Sequence, residues 1–147
     1  MKKAAAQHGV TLIELMTVVV VLAILATIAI PSYRGYLLRA QRSDATRTLL
    51  RVEAAQEKYF LQNNRYTDQL EAAPPNGLGI PAVSEDAFYD IRLQMVPDGS
   101  AYTATAAPRA VSGQGDDTLC RLFTVDQTLR KSARDAANAD VSRQCWR

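Results

Sequence analysis

Between Val10 and Ile30 the chain runs for 21 residues in which Glu14 is the only charged side chain. Wound as an α-helix at about 1.5 Å per residue, such a stretch is ~32 Å long, enough to cross a hydrocarbon core of ~30 Å. A short head, MKKAAAQHG, precedes it with Lys2 and Lys3 and no acid, and Pro31 follows it. A secretory signal has a shorter apolar region that ends in a small-residue cleavage site. No such site occurs before Arg34, so length and hydropathy alone point to an uncleaved membrane anchor.

Glu14 does not fit a plain anchor. A carboxylate inside a membrane span costs a few kcal/mol even on lenient scales and calls for a partner. No Lys or Arg lies between Val10 and Tyr33. A cation does become available if the peptide bond after Gly9 is cut, because the new α-amino group of Val10 has an unperturbed pKa of about 7.7–8.

Gly9-Val10-Thr11-Leu12-Ile13-Glu14-Leu15, behind a basic leader and ahead of an apolar run, resembles the prepilin motif of type IV pilins and type II secretion pseudopilins. The resemblance implies that a prepilin peptidase cuts after Gly9 and N-methylates Val10. It also implies that Glu14, at the fifth mature position, meets the N-terminus of a neighbouring subunit during assembly. Val10 departs from the family pattern, in which Phe or Met is commoner at the first mature position.

The rest of the composition narrows the function. The 147 residues give room for one domain with a modest core, so a small sheet packed on a helix is the expected architecture. Lys2 and Lys3 account for the whole formal charge of +2, leaving 15 basic and 15 acidic side chains from Val10 onward. Global steering of DNA or acidic substrates is therefore not expected, although a local patch is compatible with that balance. His8 is the only histidine and lies in the leader. Without it there is no Ser/His or Cys/His nucleophile pair and no His-ligated metal. The chain reads as a non-enzyme with no cofactor and no metal.

In chain order, residues 1–9 form a leader held in the cytoplasm by Lys2 and Lys3, and residues 10–33 form the membrane and assembly helix. Pro31 lacks an N–H and collides with the carbonyl of Thr27, which predicts a kink or local unwinding over Thr27–Pro31. Residues 34–63 continue as an amphipathic helix. Ala45, Leu49, Val52, Gln56 and Tyr59 recur on one face, Phe60 widens the stripe, and Asn63-Asn64 suits the end. Arg47, Arg51, Glu53 and Glu57 read as a solvated face.

Residues 64–147 then form a loop and an antiparallel sheet. Pro74, Pro75, Asn76-Gly77, Gly79 and Pro81 break the chain into a surface loop over residues 64–87. Tyr89–Met95 alternates as a half-buried strand, Pro97-Asp98-Gly99-Ser100 turns, and Tyr102–Ala106 returns as a hairpin. Asp116 and Asp117 read as a solvated loop tip rather than a calcium site. Cys120–Val125 is the third strand, a fourth is expected near Leu129–Ala133, and Ala136-Ala137-Asn138 is expected to make one helical turn. The predicted fold is α+β and pilin-like: a long N-terminal helix, membrane-spanning in its first half, on a small antiparallel sheet.

Cys120 and Cys145 are the only two cysteines, with 24 residues between them. The anchor places them outside the cytoplasm, where disulfides persist, and two thiols alone do not make a four-ligand zinc site. A bridge would contribute roughly 3–4 kcal/mol in the chain-entropy model. The pair is also similar to the C-terminal disulfide loop of type IV pilins, which main-class pseudopilins usually lack.

The reading that follows is a structural, minor pilin of the PilE-like sort, in the bacterial inner membrane before assembly and in a surface filament after it. Its implied partners are other pilin subunits, the prepilin peptidase and the inner-membrane assembly machinery, in support of assembly, twitching motility, adhesion or DNA uptake. Arg130, Lys131, Arg134, Arg143 and Arg147 give the C-terminal segment a local basic surplus. They make an auxiliary DNA site at most, a mixed charged surface being the simpler explanation. A tip module that binds DNA or a surface, and a type II secretion pseudopilin, are the alternatives.

Overall fold

Helix α1, Leu12–Asn63, is 52 residues long and opens the computed structural model, which describes residues 10–146. The leader with Gly9, and Arg147 at the other end, lie outside the described residues. Thr11 starts the helix: its Oγ1 accepts the backbone N–H of Glu14 at 3.3 Å, the geometry of an N-cap. At the far end Asn64 turns the chain out with φ of 52°, as the Asn-Asn pair predicts. Residues 27–31 stay helical and α1 passes through Pro31 without a break, so local unwinding is not what the chain adopts there. The lost hydrogen bond is confined to one carbonyl, and the turns on either side keep theirs.

The chain divides after Leu37 into two units. The first is α1 up to that residue. Its most apolar 18-residue window is 0% buried.

The second unit, from Leu38 on, holds four antiparallel strands: β1 (Tyr89–Met95), β2 (Tyr102–Pro108), β3 (Leu122–Asp126) and β4 (Lys131–Arg134). They pair in chain order, β1-β2-β3-β4. Ile91 faces Ala106 across the first pair, and Phe123 faces Ala106 and Ala133 on either side. Alternation then puts Tyr89 and Ile91, Tyr102, Ala104 and Ala106, Phe123 and Val125, and Ala133 on one face. These residues form a single apolar core with Ala45, Leu49 and Val52 of α1. Burying each large side chain there stabilises the unit by about 1.5–3 kcal/mol. Edge-to-face rings extend the core from Tyr89 to Phe123 to Trp146, all with centroids 5.9 Å apart. Burial holds the phenols of Tyr89 and Tyr102 neutral, well above the usual tyrosine range.

Four elements differ from the sequence expectation, the first being β2, which runs past Ala106 to Pro108. β3 begins at Leu122 rather than Cys120. β4 begins at Lys131 because Leu129 takes φ of 62° in the preceding turn, where Asp126 Oδ1 accepts the N–H groups of Thr128 and Arg130. Residues 136–138 make no helical turn: Asp135 Oδ1 accepts the N–H groups of Ala137 and Ala139, and Asn138 reverses the chain at φ of 66°. The turn forms instead as α2, Ser142–Cys145, after Asp140 accepts the N–H of Ser142 at 2.9 Å.

The loop of residues 64–87 supplies core as well as surface. Leu70, Leu78 and Ile80 are buried within it. Leu78 N–H and Ile80 N–H bond back to the carbonyls of Gln69 and Leu70. A Cβ on Gly77 would lie 2.4 Å from the Gln69 carbonyl oxygen, so only glycine allows this closeness.

Candidate functional site

The segment expected to drive assembly lies within α1 itself. Thr17 Oγ1 and Thr27 Oγ1 donate to the carbonyls of Glu14 and Ile24, which satisfies both hydroxyls within an apolar helix. Val10, Leu12, Ile13 and Ile28 are each more than 65% exposed. Glu14 sits in the first turn, where the positive end of the helix dipole offsets about 0.3–1 kcal/mol of its cost. The pattern T-x-x-E at Thr11–Glu14 is the sequence signal for this cap. Among the described residues the Glu14 carboxylate has no ionic partner, which leaves it available to an amine supplied from elsewhere.

In the second unit two carboxylates tie loops to α1. Asp44, 1% exposed, accepts Ser84 Oγ at 2.5 Å and the N–H groups of Asp86 and Phe88. Asp117 pairs bidentately with Arg42, at 2.6 Å from Nε and 2.8 Å from Nη2. It also accepts the N–H groups of Leu119 and Cys120, and Gln114 Nε2 bridges it to the Tyr89 hydroxyl. Asp117 is thus a buried structural anchor at 3% exposure, not the solvated tip its sequence suggested; only Asp116 is exposed. The cause is Arg42, 75 residues earlier, which brings a planar donor pair to a carboxylate that would otherwise stay in water.

Cys120 and Cys145 are bonded, with Cα atoms 5.8 Å apart. The bridge fastens α2 to the chain just before β3 and closes the segment that carries the basic residues. Arg130, Lys131 and Arg143 line one open cleft of about 400 Å³ together with Ser132, Asp140 and Ser142. Arg130 and Arg134 line an adjoining cleft of about 300 Å³ with Thr103, Thr124, Asp126 and Asp140. The structure therefore brings four of the five predicted basic residues together. Arg134 Nη1 donates to the Asn138 carbonyl at 2.9 Å, and Lys131 Nζ stands 5.9 Å over the Trp146 ring. Asp140 accepts Ser142 Oγ and N–H and faces Arg134 and Arg130, which holds its carboxyl below the usual range. Burial pushes the Asp126 carboxyl up, but hydrogen bonds from Thr128 and Arg130 outweigh it and leave it low. Both acids stay charged and subtract from the basic surface. Among the described residues no group of three or more His, Cys, Asp or Glu is placed to hold a metal.

Comparison with known proteins places this geometry. Residues 31–124 match the family model described as type IV minor pilin ComP, DNA uptake sequence receptor. The chain belongs to this family. Residues 4–30, including Gly9, Val10 and Glu14, match the prokaryotic N-terminal methylation motif. Among relatives of this ComP-family pilin, the type IV major pilin PilA of Myxococcus xanthus is 28% identical over 135 residues, covering 72% of the chain and 61% of PilA. The chain thus spans less than two thirds of that relative's length. The type II secretion system core protein G of Vibrio cholerae is 43% identical over 108 residues, covering 69% of the chain and 73% of the relative. A solved type IV pilin from Shewanella oneidensis superposes with a TM-score of 0.48 at 18% identity, over 64% of this chain and 89% of that one. The ComP match stops at residue 124, before the four clustered basic residues.

Proposed function

We propose that this minor pilin is cut after Gly9, rests in the inner membrane through residues 10–33, and polymerises with other pilin subunits through α1. The observation that carries the reading is an apolar window 0% buried within its own chain, opened by Glu14. Assembly covers that surface, and the Val10 amine of a neighbouring copy gives Glu14 its charge partner. The role is structural rather than catalytic. The prepilin peptidase and the inner-membrane assembly machinery are its transient partners, and a kink at Pro31 would let the helix adjust on leaving the bilayer. N-terminal sequencing of membrane-extracted protein is expected to begin VTLIE. A start at Met1 or beyond Ala29 would overturn the cleavage.

A second reading, supported by the basic clefts and by the family's description, adds DNA as a ligand of the head. Arg130, Lys131, Arg134 and Arg143 are the contacts, reduced by Asp126 and Asp140 in the same clefts. Four phosphate contacts correspond to a log–log salt slope of about −3.6. Titration with duplex DNA at two salt concentrations is expected to give that slope, and Ala at all four positions is expected to abolish it. No binding at low salt would remove DNA from the partners.

A further inference from the structure

Just past the apolar span the first unit carries two tyrosines around an arginine. Tyr33 and Tyr36 are each 63% exposed, and Arg34 is exposed as well. Among the described residues neither phenol hydroxyl is hydrogen-bonded and Arg34 has no ion pair. An amphipathic ring with an unused hydroxyl is the side chain favoured where hydrocarbon meets water. An arginine at a span's end reaches its guanidinium into the same layer. From Leu15 to Ser43 the chain has no acid, so nothing nearby in sequence competes for Arg34. The spacing adds an independent constraint: Tyr33 follows Glu14 by 19 residues of helix. At about 1.5 Å each they cover ~28 Å, close to the ~30 Å hydrocarbon thickness.

We propose that Tyr33, Arg34 and Tyr36 form a collar that seats in anionic phospholipid headgroups at the C-terminal end of the span. The collar thereby holds Glu14 at the opposite headgroup layer. This rests on the membrane-anchor part of the proposed function. Charge complementarity favours anionic over zwitterionic lipid, and continuity with the span fixes the depth. Before assembly, Glu14 then keeps water around its carboxylate and gives it up only on entering the filament.

The test uses the full chain in vesicles of phosphatidylethanolamine and phosphatidylglycerol, brominated either near the headgroup or near the bilayer centre. Trp146 is the only native tryptophan, so unsubstituted protein gives the background. Tyr33→Trp is expected to be quenched about twofold more by shallow than by deep bromine, and Ile24→Trp the reverse. Adding Arg34→Ala and Tyr36→Ala to Tyr33→Trp should move its quenching toward the deep probe. Replacing phosphatidylglycerol by phosphatidylcholine should do the same to Tyr33→Trp alone. If Ile24→Trp is deep while Tyr33→Trp shows no shallow preference, or ignores both the lipid change and the added substitutions, the collar is overturned and the anchor survives. If neither position is quenched, the anchor reading falls and the collar with it.

Discussion

Asp117→Ala is expected to lower the stability of the head by about 3–5 kcal/mol, since it leaves a buried charge without its partner. The Arg42 side chain is 13% exposed, and among the described residues Asp117 is its only ion-pair partner. The substitution also strips the acceptor from Leu119 N–H and Cys120 N–H at the mouth of the disulfide. For a domain of this size such a loss corresponds to a melting temperature roughly 15–25 °C lower. Asp116→Ala, one residue away and exposed, is expected to stay within about 0.5 kcal/mol. Denaturant midpoints of the two variants make the comparison. Equal midpoints would mean the Arg42 pair contributes nothing in solution. Arg42→Met with Asp117→Leu should recover part of the loss, because a buried pair replaced whole costs far less than one broken.

Glu14→Gln is expected to leave cleavage and membrane retention intact while reducing incorporation into filaments at least tenfold. The span loses a charge, so insertion becomes no harder. What disappears is attraction to an amine: at 4 Å and an effective dielectric near 20, a unit pair gains about 4 kcal/mol. Offsetting desolvation brings the net down, but about 1.4 kcal/mol already shifts a partition tenfold. The readout is the ratio of protein in sheared filaments to protein left in membranes. Recovery of the variant at the wild-type ratio would show that the carboxylate is incidental. Glu14→Asp keeps the charge on a shorter arm and should fall between the two.

Much of this molecule is written in short-range pattern. The apolar run announces the first part of α1. The four-three spacing of Ala45, Leu49, Val52 and Gln56 announces the buried face of its second part, and the alternation of Tyr89–Met95 announces β1. Gln56 even explains its own place in that apolar stripe: its amide pairs with both Thr67 O and Thr67 N, as another strand's backbone would. The residues that sequence reasoning missed have partners far along the chain. Asp44 meets Ser84, and Arg42 meets Asp117. No local spacing marks such a pair, so Asp117 looked like any acid in a Gly-rich loop. Leu70, Leu78 and Ile80 were missed for a related reason, as single apolar residues among Pro and Gly carry no period to read. The basic candidates stand out in the sequence only as a local surplus of charge, and strand register decides which of them line a common cleft.

The order of the strands bears on how the head is made. Each strand pairs only with its neighbours in sequence, so every hairpin closes a short segment and loses little chain entropy. The costly closures are the ones that bring Ser84 to Asp44 and Asp117 to Arg42, 40 and 75 residues apart. A chain made from its N-terminus presents α1 first and the strands later, so residues 44–56 wait without their partners. That waiting face holds Asp44, Thr48 and Gln56 among its apolar residues, and these polar groups can stay hydrated in the meantime. A surface that is core at the end and wettable at the beginning gives the subunit a lower hazard of premature aggregation than a purely apolar stripe would.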